Sequence, residues 1–227
     1  VHHVVAGLQV GKAGNPLPRV LLLPGPVIGG AENIRIAEIK DSVAHVRFMK
    51  WLKENVGKET ITEMSASDKL DEFRAEMGNF IRPSFGPISA FGEHSAIVHY
   101  SSSPETNVEL HEGTFLMTDT GAGFYEGSTD ITRTYAFGEV SQIMKDHFTL
   151  VAISNLNLAS PIFKKGCCGM NFDYLARKPF WDRGLDFNHG TGHGVGYLLN
   201  IHEGPAGFRY TYRAGESDAF QPGMVIT

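Results

Sequence analysis

The sequence predicts an α+β fold in which helices pack on a curved, largely antiparallel sheet. Three observations lead there. Apolar residues recur at three- and four-residue steps between about Ala31 and Met77, ahead of any strand-like segment. The segment Phe115–Thr134 reads as one β-hairpin: Gly121, Gly123 and Gly127 supply the turn, and Thr, Ile, Phe and Tyr supply the strands. Glycine at every second position from Gly190 to Gly196 reads as an extended strand with one face stripped of side chains.

Residues 1–30 are rich in Gly and Pro and read as a linker or the edge of another domain. His2 and His3 read as an incidental pair rather than a metal site. From about Ala31, the spacing of Ile36, Ile39, Val43, Val46 and Met49 predicts a first helix. A second helix, starting at Ser65 or Ser67, is expected to bury Leu70, Phe73 and Met77. Strand-like segments follow around Ser84–Ser89 and Ala96–Tyr100, then the hairpin. A helix from about Ser141 to Leu158 and a short one from Asn171 to Trp181 precede the glycine-rich strand. Trp51 and Trp181 are expected in the core with hydrogen-bonded indoles.

Composition bounds the function. A chain of 227 residues, 42% hydrophobic and 20% charged, is an ordinary globular mixture with ample length for one sizeable domain or two small ones. A net charge of −5 gives no sign of a nucleic-acid surface. The apolar run Val20–Pro24 is far too short to span a bilayer, and no secretory signal is visible. Cys167 and Cys168 are adjacent and poorly placed for a disulfide, which fits a reducing, cytoplasmic setting. They read as buried or half-exposed thiols before they read as a metal site.

Asp119 and Asp130 lie eleven residues apart in the hairpin. A turn centred near Phe124 and Tyr125 would bring their carboxylates side by side across the strands. Like charges directly opposite destabilise a hairpin, so one aspartate keeps a proton or a cation sits between them. The cation is the favoured reading because His193 offers a third ligand. The plain alternative is that both aspartates merely cap a glycine-rich turn. His189 and His193 are four residues apart in an extended chain, so roughly 13 Å separates them and they cannot share one ion. One can be a ligand while the other reaches a substrate. The bare glycine face admits close approach by another backbone or a ligand. This is not the zincin pattern, which needs a helix to align its histidines.

Six blocks, taken in order, resemble a known family. They are Phe48-Met-Lys-Trp-Leu52, Gly92-Glu-His-Ser-Ala-Ile-Val-His-Tyr100, Thr118-Asp-Thr-Gly121, Ser128-Thr-Asp-Ile-Thr-Arg-Thr134, His189-Gly-Thr-Gly-His-Gly-Val-Gly196 and Asn200-Ile-His-Glu-Gly-Pro205. From about Ile34 to Thr227 the chain is similar to the pita-bread metallopeptidases, most closely the Xaa-Pro aminopeptidases. The resemblance implies a pita-bread catalytic domain over residues 31–227. It implies Asp119, Asp130 and His193 as metal ligands, with Asp130 bridging. It gives His99 and His202 as catalytic histidines, and His189 with His99 as substrate contacts. The implied cofactor is two divalent metal ions, most often Mn(2+), with Zn or Co in relatives. Carboxylates and one imidazole suit such ions. The implied reaction is hydrolysis of the N-terminal Xaa-Pro bond through a metal-bridged hydroxide. The implied partners are peptides with proline second, and a homodimer is expected from relatives; no membrane or nucleic acid is expected.

The chain departs from the family pattern at Gly223-Met-Val-Ile-Thr227. Relatives continue there to a Glu-Pro-Gly segment, and a second glutamate ligand follows. They also carry creatinase-like N-terminal domains. The expectation is a piece of a longer protein, incomplete at the C-terminus, with weak metal binding and little or no activity by itself. His94 stands where relatives have Asn; the favoured reading is a neutral replacement on a loop, the other a changed hydrogen bond. Arg133 reads as a counter-charge or a neighbour of the ligands, and Glu203 as structural. Two other functions stay open: a prolidase acting on Xaa-Pro dipeptides, and a non-catalytic pita-bread module that binds peptides or proteins.

Overall fold

The computed structural model describes residues 30–227. His2, His3 and the linker reading of residues 1–29 lie outside the described residues. The chain divides into two compact units: Glu32–Lys145 forms one, and Asp146–Thr227 is the body of the other. Helices combine with small antiparallel sheets, as the α+β reading expects.

The first unit opens with α1 (Gly30–Asn55) and α2 (Glu63–Ala75). The α1 helix buries Ala37, Ala44, Phe48 and Leu52. The apolar stripe that reveals its period is not that face: Ile39 is 61% exposed and Val46 60%. The buried face pairs these apolar side chains with Glu38, Asp41 and His45, which hydropathy alone assigns to water. The α2 helix begins earlier than the serines suggest. Thr62 is the N-cap; it and Ser65 exchange side-chain and backbone hydrogen bonds, so Ser65 lies inside the first turn. Leu70 is fully buried, while Phe73 and Met77 pack on the rim of the same core. That core gathers Phe48, Leu52, Ile61, Leu70, Leu116 and Tyr135. Each such large apolar side chain contributes about 1.5–3 kcal/mol by burial. Trp51 is half-buried, stacked on Phe48 with ring centroids 6.0 Å apart.

The expected strand at Ser84–Ser89 resolves into β1 (Phe80–Pro83) and β2 (Ile88–Phe91). The expected strand at Ala96–Tyr100 does not form. A 3₁₀ turn over Gly92–Ala96 leads into further turns, where Ile97 N–H donates to His94 and Tyr100 N–H to Ile97. Those local bonds occupy the backbone groups that a ladder needs. Next come β3 (Phe115–Thr120), β4 (Ala122–Phe124), β5 (Gly127–Ser128) and β6 (Ile131–Ala136). They form one long hairpin that feeds two sheets, of strand order β1-β4-β5 and β2-β3-β6.

Beyond α3 (Gln142–Ala159), the second unit holds α4 (Asp173–Trp181), β7 (Gly192–Val195) and β8 (His202–Phe208). Its core is Leu158, Phe172, Ala176, Ala206, Phe208, Phe220 and Ile226. Trp181 is not in it: the ring is 44% exposed, because α4 turns Ala176 and Arg177 inward instead. Cys167 and Cys168 are free, half-buried thiols. Among the described residues, no helix is long and apolar enough to cross a membrane.

Candidate metal centre

The acidic hairpin forms, with a shifted register. Its turn is Tyr125–Glu126, one residue later than expected. Moving the centre by one moves every pairing by two, so Asp119 faces Thr132 and not Asp130. Thr129 N–H donates to Ala122 across the ribbon at 2.8 Å, so the same register puts Asp130 opposite Gly121. The carboxylates are therefore diagonal neighbours on one face rather than side by side. Diagonal neighbours sit about 7–8 Å apart at Cα and closer at their side chains, a span one or two ions can bridge. Thr132 Oγ1 donates to Asp119 Oδ1 at 2.8 Å. Asp130 is buried. Only glycine fits at position 121, where a Cβ would lie 2.1 Å from Ser84 Oγ and from the Thr129 carbonyl oxygen.

Behind this face lies a buried polar network absent from the sequence reading. Arg74 binds Asp41 through two bonds, Nε to Oδ1 at 2.8 Å and Nη2 to Oδ2 at 3.2 Å. Burial alone would raise the Asp41 pKa, but Arg74, His45 and the Thr129 hydroxyl outweigh it and hold the carboxyl below its ordinary range. Burial, opposed by Asp41 and aided by Arg74 and Arg133, lowers the His45 pKa to about 4. The neutral ring takes one tautomer. Its Nε2 faces the Arg74 donor at 3.4 Å, so Nδ1 carries the proton and donates to Tyr135 Oη at 3.1 Å. Burial first, then Asp41 and Asp130, push Glu38 well above the usual carboxylate range, and Arg133 only partly offsets them. Arg133 Nη1 donates to the Thr132 carbonyl at 2.7 Å.

His99 sits exposed on the turn after the 3₁₀ segment, with φ +59°. Its loop is organised by Glu63, the fully buried first residue of α2. Glu63 accepts from Phe91 N–H at 2.6 Å and from Tyr100 Oη at 2.8 Å, and pairs with His94 Nδ1 at 2.9 Å. The His94 ring also stacks on Tyr100 at 4.5 Å. His94 is thus no neutral surface replacement; it is bonded into the loop's anchor.

In the second unit the alternate glycines do what a bare face allows. A Cβ on Gly194 would lie 1.8 Å from the Glu203 carbonyl oxygen, and one on Gly192 2.1 Å from that of Thr227. The close neighbour is the chain's own backbone. β7 pairs with β8 on one side, and on the other His193 exchanges N–H···O bonds with Thr227. His193 and His202 come together, with ring centroids 4.1 Å apart, edge to face. His193 Nδ1 lies 2.9 Å from the Gly194 carbonyl and donates to it, which places the neutral ring's lone pair on Nε2. His189 repeats this with Gly190 at 2.8 Å, on an exposed loop. Arg177 anchors that loop: it bonds Asp173 at 2.7 Å and donates to the carbonyls of Phe187 and His189. Thr191 Oγ1 donates to the other Asp173 oxygen at 2.6 Å.

Asp119, Asp130 and His99 stand on the first unit; His189, His193 and His202 stand on the second. Within either unit, no three His, Cys, Asp or Glu side chains among the described residues gather to hold an ion. Two carboxylates and an imidazole with its lone pair on Nε2 nevertheless match the donors that manganese or zinc takes. Arg74 could have been found in the sequence. It falls four residues after Leu70 on the buried face of α2, a charge where the helix needs a core residue.

Comparison with known proteins adds the relatives. A model of "Metallopeptidase family M24" matches residues 32–227. A probable Xaa-Pro aminopeptidase P of Sordaria macrospora is 38% identical over 198 residues, covering 86% of this chain and 32% of that protein. The crystal structure of X-prolyl aminopeptidase from Caenorhabditis elegans, described as a cytosolic enzyme with a di-nuclear active site, superposes with TM-score 0.81. It is 35% identical and covers 87% of this chain and 32% of that one. A Xaa-Pro dipeptidase from Bacillus anthracis superposes with TM-score 0.71 at 30% identity, covering 90% of this chain and 53% of that one. The chain thus spans about a third of the length of the curated relatives it matches.

Proposed function

The chain belongs to metallopeptidase family M24, and from that premise we propose that it is the catalytic domain, residues 31–227, of an aminopeptidase that removes an N-terminal residue preceding proline. Two observations, each within its own unit, support the reading: Asp119 and Asp130 share one face of their ribbon, and His193, with its lone pair on Nε2, lies beside His202. In this reading Asp119, Asp130 and His193 hold two divalent ions, manganese first and zinc or cobalt as alternatives. Bound there, the ions supply Lewis-acid chemistry, lowering the pKa of a water and polarising the scissile carbonyl. His202 and His99 donate to the developing oxyanion or the leaving amine. His189 contacts the substrate. A proline in second place has no peptide N–H, so its recognition rests on shape. The expected setting is cytosolic, like that of the nematode enzyme, and a homodimer is the expected assembly.

The dipeptidase among the similar structures favours one second reading, a prolidase. Substrate length separates the two. The full-length protein loaded with Mn(2+) is expected to release the first residue of Arg-Pro-Pro. Cleavage confined to Xaa-Pro dipeptides would replace the aminopeptidase with the prolidase. No hydrolysis of either would leave a binding module. Asp130→Asn and His193→Ala should each lower kcat/KM by at least about 10³-fold, the scale lost when a preorganised catalytic group goes.

A further inference from the structure

We propose that the buried Arg74–Asp41 ion pair is a positioning clamp for the two candidate ligand aspartates, acting through the hydroxyls of Thr120 and Thr129. The proposal rests on the reading of Asp119 and Asp130 as metal ligands. Thr120 follows Asp119 in the chain, and Thr129 precedes Asp130. Neighbours in an extended chain point to opposite faces, so each threonine faces inward where its aspartate faces the site. Arg74 Nη2 donates to Thr120 Oγ1 at 2.9 Å. Thr129 Oγ1 donates to Asp41 Oδ2 in a short hydrogen bond and accepts from Ala122 N–H at 2.8 Å. One ion pair thus holds both sides of the ribbon next to both carboxylates. Arg74 is 1% exposed and Asp41 0%.

Packing alone does not account for this. Valine would fill either threonine site with nearly the same volume, and apolar replacements for a buried ion pair are often neutral or stabilising. The return on such a pair is geometric definition, which is what two carboxylates need if they are to share ions at fixed separation. The partners come from α1, α2 and both strands of the ribbon, so the spacing is set by the assembled unit and not by the hairpin alone.

The test is Mn(2+) binding to the full-length protein, read from the electron paramagnetic resonance signal of free Mn(2+), at a temperature where every variant is folded by circular dichroism. Thr129→Val should weaken binding about 10-fold, the range reported for partners behind metal ligands. Thr129→Ser, which keeps the hydroxyl, should restore it to within about twofold of the parent on the same scale. Ser89→Ala removes a buried hydroxyl of the same unit that bonds neither member of the ion pair, and should change nothing. Wild-type affinity in Thr129→Val, failure of the serine to restore it, or an equal loss in Ser89→Ala would overturn the clamp. Asp130→Asn separates the two claims. If it abolishes binding while Thr129→Val does not, only the clamp falls. If it leaves binding unchanged, or the parent takes up no Mn(2+), the ligand reading falls and the clamp with it.

Discussion

Each unit anchors its candidate site strand with a buried arginine bound to an aspartate, and the two arginines do it differently. Arg74 reaches 33 residues back, from α2 to Asp41 on α1, and ends on two threonine hydroxyls. Arg177 takes Asp173 four residues earlier on its own helix and ends on the backbone carbonyls of Phe187 and His189. Its guanidinium also lies against the rings of Phe187 and Tyr210, with centroids at 4.0 and 4.7 Å. The first device forms only when two helices dock. The second is mostly local, available once α4 exists, and it fixes a loop by its backbone. Side-chain hydroxyls hold the pleat of a ribbon; carbonyl contacts hold the path of a loop.

The largest effects should come from breaking the pairs. Arg74→Met leaves Asp41 buried without its main partner and should cost about 3–5 kcal/mol in denaturant unfolding. Adding Asp41→Leu should recover most of that loss, since no lone charge remains, the Thr129 hydroxyl keeps the N–H and carbonyl of Ala122 as partners, and the Thr120 hydroxyl can rotate to another acceptor. The matching change in the second unit, Arg177→Met with Asp173→Leu, should recover little, because two carbonyls and Thr191 lose their partners. Equal recovery in both units would show that the two arginines do the same work.

Next in size is acid sensitivity from His45. Its folded pKa of about 4 lies below the ordinary 6.5, so the unfolded chain binds the proton more readily. The stability it contributes is complete above pH 6.5 and is lost as pH falls to about 4. The loss amounts to about 3 kcal/mol. Glu38, with its raised pKa, contributes the opposite slope over the same window but is common to both chains, so the unfolding free energy of the parent should rise more steeply with pH than that of His45→Gln. An unchanged slope would show that His45 is not buried neutral.

Gly194→Ala should cost about 2–3 kcal/mol by forcing β7 from the Glu203 carbonyl. Gly123→Ala in the first unit, with its nearest atom 3.3 Å away, should cost clearly less in the same melts. Smallest is the cap: Thr62→Ala should lose about 1 kcal/mol, and Thr62→Ser nearly nothing.

How much of this was legible in the sequence depends on the range of each interaction. The i, i+4 spacing of Asp173 and Arg177 can be read directly, and the alternate glycines declare a strand pressed against backbone. The hairpin was legible too, but its register was not: several glycines and two bulky aromatics permit turns one residue apart, and that single step separates directly opposed aspartates from diagonal ones. The outward stripe on α1 misleads for a related reason. Periodicity reports that a helix exists, while tertiary contacts decide which face is buried, and here the buried face carries Asp41 and His45. The Arg74 clamp joins residues far apart in the chain, and no local pattern encodes that partnership.

One experiment bears most directly on the central claim that the acidic ribbon and the glycine-rich strand serve common ions. A crystal of the protein grown with Mn(2+), with diffraction collected at the manganese edge, would locate the metal by anomalous scattering. The expected result is density within about 2.3 Å of carboxylate oxygens of Asp119 and Asp130 and of His193 Nε2 together. Manganese held by the aspartates with His193 elsewhere, or found at neither, would contradict it.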